Sequence, residues 1–259
     1  MSKALLLAAA LSGLVLHADA PFYSAASTVN SADNQAWLAP NSIGTIYGAG
    51  LAYATRSLTW ADISGGTLPT TLPGTGARIL IGGIAATVYY ISPTQINFLV
   101  PSMLLPGPTD VQVMLDGVYG PSITIILSDA APALFQLDPL TPVATRLDGS
   151  VISAGSPARP GDFVTLYATG LGDTIPPAQY AHLAVGVAPL QRAGDFRVML
   201  DGMPLDAGSI YYAGLAPGYA GLYQINIKLP DNTGANPELQ IALGDAISVT
   251  GLILPVQPW

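Results

Sequence analysis

The stretch Ser92-Pro93-Thr94-Gln95-Ile96-Asn97-Phe98-Leu99-Val100-Pro101 returns later in the chain as Tyr223-Gln224-Ile225-Asn226-Ile227-Lys228-Leu229-Pro230. In both copies every second residue is apolar over most of the stretch, and a repeat of two residues is the signature of a β-strand. Each copy ends at a proline, which lacks the N–H that a strand needs to continue its ladder. Both copies therefore predict a strand, and a strand that recurs in this way predicts a duplicated domain.

Segments on either side of these strands repeat in the same order. Residues 158–171 match 38–51, residues 197–202 match 78–83, and residues 239–241 match 111–113. The segments are short, rich in β-branched residues and separated by many of the 28 glycines and 23 prolines. This spacing predicts an all-β chain of two tandem β-sandwich domains, at residues 21–135 and 136–259, with a proline-rich boundary.

The composition excludes several classes of function. Half of the residues are hydrophobic and only 9% are charged, which suits a folded chain with a sizeable core. The net charge of −8 repels phosphate backbones, so we expect no nucleic-acid partner. The absence of cysteine from the sequence excludes disulfides, thiolate metal sites and a cysteine nucleophile.

Residues 1–20 have the form of a secretory signal. Lys3 precedes an apolar run at 4–16, and Ala18-Asp19-Ala20 has the small-x-small pattern of a cleavage site. The run is too short to span a bilayer, and no other transmembrane run follows it. We expect an exported protein, at the cell surface, outside the cell or in the periplasm. An uncleaved anchor is the alternative, and the position of the cut stays open.

The sequence offers little for catalysis or metal binding. His17 belongs to the signal, which leaves His182, and Glu238 is the only glutamate. No serine lies in a Gly-x-Ser-x-Gly elbow. The Asp-Gly pairs at 116–117, 148–149 and 201–202 predict hairpin turns, since they lack the dense acids of a calcium loop. We predict no enzyme, no catalytic or metal site and no cofactor.

The amides of the repeated strands have two interpretations. Gln95 and Asn97 share one face of the first copy, and Gln224 and Asn226 share one face of the second. Such a ladder could bind sugar hydroxyls. We favour a structural signature in which the amides satisfy backbone groups of the preceding loop, because both copies keep the pair although their loops differ.

Aromatic residues mark a second candidate site. Trp60 lies in a long connection at 52–76, Tyr212 follows another tyrosine on a strand, and Tyr219 and Tyr223 flank a glycine in an inserted segment, residues 215–221. Exposed aromatics could stack on carbohydrate or on another subunit. Core packing is the alternative. Because the loops differ most between the copies, they are where we expect function.

Several phrases resemble a secreted bacterial family that carries the Solibacter-type C-terminal module. The phrases are Val29-Asn30-Ser31-Ala32, Ala39-Pro40-Asn41-Ser42, residues 68–72, residues 92–101 and residues 214–227. Asn41 stands where the family usually has glycine, a change that we expect to touch no chemistry. The resemblance implies immunoglobulin-like sandwiches of the IPT/TIG kind and no assigned activity.

Together these observations predict a structural or interaction module whose partners are other proteins or further copies of itself. A homo-oligomer or filament could form by strand exchange, in which a loose segment at 21–37 completes a sheet of the next subunit. The alternative is a carbohydrate-binding module that uses the loop aromatics on a polysaccharide.

Overall fold

The computed structural model describes residues 20–259, so the predicted signal segment lies outside the described residues except for Ala20. Residues 20–259 fold into strands and loops with three single-turn 3-10 helices, at Trp60–Asp62, Ala193–Asp195 and Ala207–Ser209, and without an α-helix. The predicted all-β fold is confirmed.

The strands of the first half are β1 (Phe22–Asn30), β2 (Ile43–Ala49), β3 (Arg56–Ser57), β4 (Ala77–Ile81), β5 (Ile84–Ala85), β6 (Val88–Ile91), β7 (Gln95–Leu99), β8 (Gly107–Leu115), β9 (Val118–Tyr119) and β10 (Ile123–Leu127). Those of the second half are β11 (Ala133–Leu134), β12 (Gln136–Asp138), β13 (Thr141–Pro142), β14 (Ala144–Thr145), β15 (Phe163–Thr169), β16 (Ala188–Pro189), β17 (Phe196–Leu200), β18 (Met203–Pro204), β19 (Ile210–Leu215), β20 (Tyr223–Lys228), β21 (Leu239–Leu243) and β22 (Ala246–Ile247).

The first-half strands form two antiparallel sheets that pack face to face. One sheet has the order β1-β2-β7-β6-β3, and the other has the order β10-β8-β4-β5 with β9 paired to β8. Side chains from both sheets share one buried core, among them Ile46, Ile96, Phe98, Ile79 and Val113. Two sheets that bury their inner faces against each other make a β-sandwich.

The second half repeats this architecture. A sheet of order β11-β15-β20-β19-β16, with β14 also paired to β15, opposes a sheet of order β18-β17-β21-β22. Their shared core includes Leu166, Ile225, Ile227, Val198 and Ile241. The chain is therefore two immunoglobulin-like sandwiches in tandem, joined by the segment that follows β10.

The two sandwiches share strand register as well as strand order. Gly44 of β2 lies opposite Phe98 of β7, and Val164 of β15 lies opposite Ile227 of β20. The strand that pairs with each Gln-Ile-Asn strand also slips its register at the same place, at Tyr89 in β6 and at Tyr211 in β19. Positions in one sandwich can therefore be compared residue by residue with positions in the other.

The N-terminal segment, which the sequence suggested to be loose, is anchored within its own chain. β1 pairs antiparallel with β2. The Tyr23 hydroxyl donates to the Pro121 carbonyl (2.6 Å) and accepts from the Val113 N–H (2.7 Å). Strand exchange through residues 21–37 is therefore contradicted, because Phe22–Asn30 of that segment complete a sheet of the same subunit.

The place of β1 is filled differently in the second sandwich. β11 and β14 both pair with β15, and the β12–β13 hairpin projects between them. Ala133 and Leu134, which we assigned to the end of the first domain, therefore pair within a sheet of the second. The sequence concealed this because β11 is only two residues long.

Two of the Asp-Gly pairs form the tight turns that their chemistry predicts. Asp116 and Gly117 have φ values of 44° and 87°, and Asp201 and Gly202 have values of 50° and 73°. Positive φ at both central residues matches the twist of the flanking strands. The prediction of hairpin turns at these pairs is confirmed.

The packing of Gly44 against Phe98 gives a direct test of the first core. A Cβ at position 44 would lie 2.5 Å from Cζ of Phe98. Gly44→Ala should therefore destabilise the protein by about 1–3 kcal/mol through overpacking. Gly44→Ala combined with Phe98→Leu should lose less than the sum of the two single losses, because the shorter side chain makes room for the methyl group.

Urea unfolding of the single and double variants measures these losses. Gly155→Ala is the control, since a Cβ there meets no atom within 4 Å. Strictly additive losses would show that the two positions do not share one packing space.

Candidate functional site

The long loops of the two sandwiches meet at the junction between them. We call this contact the interdomain clasp. It consists of residues 66–68 from the loop at 52–76, and of residues 178–184 and 219–221 from the second sandwich. Parts of the loops in which we expected function thus contact each other.

Backbone hydrogen bonds hold the centre of the clasp. The Leu68 N–H donates to the Ala181 carbonyl (2.7 Å), and the Leu183 N–H donates to the Gly66 carbonyl (2.9 Å). These two bonds flank a bridge between Thr67 and His182 and form a short antiparallel pairing between domains. The domains are therefore joined by paired backbone as well as by the linker.

Two tyrosines add side-chain bonds across the junction. The Tyr180 hydroxyl donates to the Ala85 carbonyl (2.7 Å) and accepts from the Thr87 N–H (3.2 Å). In the opposite direction, the Tyr89 hydroxyl of the first sandwich donates to the Ala220 carbonyl (2.8 Å). Each domain thus inserts one phenol into the loops of the other.

Burial keeps these phenols protonated. It raises the pKa of Tyr89, and the nearby Tyr180 phenol raises that pKa further. Burial also raises the pKa of Tyr180, although its hydrogen bonds with Thr87 oppose the shift. Both hydroxyls can therefore serve as donors throughout the neutral pH range.

An apolar cluster lies beside these bonds. Leu68, Leu99 and Ala220 are buried together, and Leu99 is only 1% exposed. Period two places Leu99 on the outer face of its sheet, where the second sandwich covers it. Gly221 approaches so closely that a Cβ there would collide with Cδ1 of Leu99 and lie 3.1 Å from the Asn41 carbonyl. Only glycine fits at that approach.

Tyr223 is not a surface aromatic, so its assignment to an exposed binding cluster is wrong. Its side chain is 0% exposed, and its hydroxyl donates to the Gly172 carbonyl and accepts from Asn41 Nδ2 (3.0 Å). Asn41 has a φ of 61°, a left-handed conformation that asparagine tolerates. We expected Asn41 to touch no chemistry, and it instead hydrogen-bonds across the domain junction.

The other three aromatic candidates have different environments. The Tyr212 hydroxyl donates to the Leu215 carbonyl (2.7 Å) and accepts from the Ala188 N–H (3.2 Å), which fixes its own loop. Trp60 and Tyr219 are 72% and 52% exposed. Of the four predicted residues, only these two present most of a ring to solvent.

The amides of the repeated strands bond to side chains and not to the preceding loop. Gln95 Nε2 donates to Asn97 Oδ1 (2.8 Å), and Thr45 Oγ1 of the neighbouring strand donates to the same oxygen (3.1 Å). The second copy repeats both bonds, at 2.9 and 3.1 Å, among Gln224, Asn226 and Thr165. The signature is structural, but its partner is a threonine on the adjacent strand.

His182 takes part in the clasp. Its Nδ1 lies 2.9 Å from the Tyr180 carbonyl, which can only accept, so Nδ1 carries the proton. Nε2 then accepts from Thr67 Oγ1 (3.1 Å). With both nitrogens engaged, the ring orders the loop. Within residues 20–259, no three His, Cys, Asp or Glu side chains are grouped to hold a metal.

A cavity of about 540 Å³ opens beside the clasp. Its lining comes mainly from residues 176–188, with Asn41, Leu215, Ala220 and Gly221. His182 is its one titratable lining residue. The lining offers small apolar side chains and backbone, without an aromatic platform or a second acid or base.

Comparison with known proteins adds little to this description. No protein-family model matches the chain, and no curated protein matches it either. A surface glycan-binding protein of Bacteroides ovatus is 11% identical with a TM-score of 0.35, over 86% of this chain and 43% of that one. The I9–I11 tandem of titin is 9% identical with a TM-score of 0.26, over 86% and 63% of the two chains. The Escherichia coli adhesin FdeC is 12% identical with a TM-score of 0.27, over 92% and 66%.

The chain thus spans less than half of the Bacteroides protein. Such low scores assign no role to any residue here. Among residues 20–259, no helix has the length and apolarity needed to cross a membrane.

The close approach of Gly221 predicts how the clasp can be opened. Gly221→Ala and Gly218→Ala both place a Cβ at a positive φ, of 65° and 83°, so both carry a similar backbone strain. Only position 221 faces the first sandwich, since a Cβ at 218 meets nothing within 4 Å. We expect Gly221→Ala to lose about 1–3 kcal/mol more than Gly218→Ala. Calorimetry should show its two domains unfolding separately. Equal losses in the two variants would mean that residue 221 does not hold the junction.

The buried phenol of Tyr89 predicts a dependence on alkaline pH. Its folded pKa lies above the unfolded value of 10.0, so its contribution is present below pH 10 and is lost as the pH rises above it. Tyr89→Phe should cost about 1 kcal/mol at pH 8, through the unsatisfied Ala220 carbonyl. Above pH 10 the variant should lose stability less steeply, by up to about 1.4 kcal/mol per pH unit. Urea unfolding at pH 8, 10 and 11 measures both effects, and identical slopes would contradict the assignment.

Proposed function

We propose that the protein is exported and acts outside the cytoplasm as a non-catalytic structural or interaction module, as a subunit of a larger assembly. The interdomain clasp carries the proposal. Loops that commonly hold ligands in sandwich proteins here contact each other and fix one domain against the other. The signal-like residues 1–20 and the motifs that resemble those of a secreted bacterial family support the location.

The chemistry of the junction supports a mechanical role. The polar groups of the junction named above are backbone amides, phenols, the Thr67 hydroxyl and one histidine, and each of them already has a partner within the chain. A reaction would need a nucleophile and a base free to act on a substrate. Two sandwiches locked at a fixed angle instead present their outer ends at a constant separation, which suits a spacer or a building block.

A distance measurement between the domains tests this rigidity. The chain has no cysteine, so Ser122→Cys and Met203→Cys introduce two unique labelling sites, both exposed and one in each sandwich. Pulsed electron–electron double resonance between spin labels at these two sites of the exported protein should give one narrow distance distribution. Gly221→Ala in the same background should broaden it, whereas Gly218→Ala should leave it narrow.

Two outcomes would count against the proposal. A broad distribution in the parent protein would mean that the domains move independently. Retention on immobilised polysaccharide, lost in Trp60→Ala with Tyr219→Ala, would favour the carbohydrate-binding alternative, which rests on the exposure of those two rings. Fractionation of cells producing the full chain tests export separately.

A further inference from the structure

The first sandwich meets the second through a defined surface, which we call the receiving face. It consists of Asn41, Ile43, Tyr89 and Leu99. The Ile43 N–H donates to Thr169 Oγ1 of the second sandwich (2.9 Å), and Leu99 is almost fully buried. Together with the bonds of Asn41 and Tyr89 described above, these contacts define where one sandwich accepts another.

The shared register identifies the same four positions in the second sandwich. Ile43 pairs with Leu99 as Phe163 pairs with Lys228, and the slipped residue Tyr89 corresponds to Tyr211. The fourth position is identified by its hydrogen bond. The N–H of residue 41 donates to the carbonyl of residue 100, as the N–H of residue 161 does to that of residue 229. Gly161, Phe163, Tyr211 and Lys228 thus form the second receiving face.

The second receiving face is open to solvent and carries apolar groups. Phe163 and Tyr211 are 38% and 61% exposed, and their rings meet edge to face with centroids 5.2 Å apart. Leu147 is also exposed and lines a surface depression with Phe163, which Arg146, Asp148 and Asp162 border with charged groups. Clustered apolar side chains on a surface commonly mark a site of association.

The complementary surface lies at the far end of the first sandwich, which we call its free end. Thr169, which contacts the first receiving face, corresponds to Ala49, and Ala133 corresponds to Phe22. Ala49 and Phe22 are exposed, as is Tyr53, which follows Ala49 in the chain. The first sandwich thus offers an apolar end in the position that the second sandwich uses for contact.

We propose that a second copy of this chain docks its free end on the second receiving face. The contact repeats between chains the relation that the two sandwiches have within one chain. Because the two surfaces differ, the contact is heterologous, so each added chain leaves one surface of each kind free and the chains grow into an open row or a closed ring. The proposal rests on the proposed function as a subunit of a larger assembly, and names the partner as the protein itself.

Association between chains should be weaker than the contact within one chain. The first sandwich has no counterpart of the inserted residues 215–221, of which residues 219–221 belong to the clasp. Lys228 replaces Leu99 at the centre of the face, and its Nζ lies 3.9 Å from Asp231 Oδ1. A less apolar centre and a smaller contact predict reversible assembly that depends on concentration.

Sedimentation of the exported protein over a range of concentrations tests the inference. We expect a series of growing species. Phe163→Ser with Tyr211→Ser alters the receiving face, and Phe22→Ser with Tyr53→Ser alters the free end. Each pair of substitutions should weaken association at least tenfold. Tyr119→Ser, at another exposed tyrosine, is the control and should assemble normally.

Mixing the two altered proteins gives the decisive result. Each keeps one intact surface, so an equimolar mixture should form a one-to-one complex that grows no further. Circular dichroism and urea unfolding of each variant confirm that it is folded before mixing.

Three results would overturn the inference. The protein could stay monomeric at every concentration, or form a closed dimer that survives both pairs of substitutions. It could also bind polysaccharide through Phe163 and Tyr211 while remaining monomeric. A monomer with a narrow interdomain distance would refute only the docking, whereas a broad distance or failed export would refute the proposed function itself.

Discussion

The hydroxyl of Tyr223 constrains the whole molecule, because it is buried and takes its two partners from two domains. It donates to Gly172 in its own sandwich and accepts from Asn41 in the other. Leaving such a group unsatisfied costs about 1–3 kcal/mol, so the domains are held at the one relative position that supplies both partners. The apolar contacts of Leu99 and the backbone pairing near Thr67 form in that same position. One polar group thus selects a relative position of the domains that apolar contacts alone would define less sharply.

The duplicated sequence was sufficient to predict the longer strands and which of their side chains face the core. Period two correctly places Ile96 and Phe98 in the core, because alternation depends only on the geometry of a single strand. It could not predict which residues on the outer face are buried. Leu99 and Asn97 share that face, yet Leu99 is buried by a second domain and Asn97 stays partly exposed. Whether an outer-face residue is buried depends on where the other domain lies, and a local sequence pattern holds no information about that position.

The errors at the candidate site have the same physical origin. Tyr223 follows a glycine-rich insertion and therefore resembles a loop aromatic, but it is the first residue of β20 and shares the buried face of Ile225 and Ile227. The amides of Gln95 and Asn97 bond to Thr45, and that partner becomes evident only once the strand pairing is known. One sequence signal for the junction did exist. Leu99 is an apolar residue at the position where the other copy has Lys228, and such an asymmetry between repeats points to a surface that one copy covers.

The two ways of filling the place of β1 have a practical meaning. In the first sandwich, the edge strand is continuous apart from an exposed bulge at residues 24–27. In the second, the edge strand breaks off at the same register, and pairing resumes after a hairpin at 136–142. The same scaffold therefore carries either a short or a long excursion there, without a change in the flanking ladder. The bulge is a natural graft point. A foreign peptide or a fluorescent reporter could be spliced into the first sandwich at residues 24–27, away from the junction, leaving the protein as a rigid carrier for cargo.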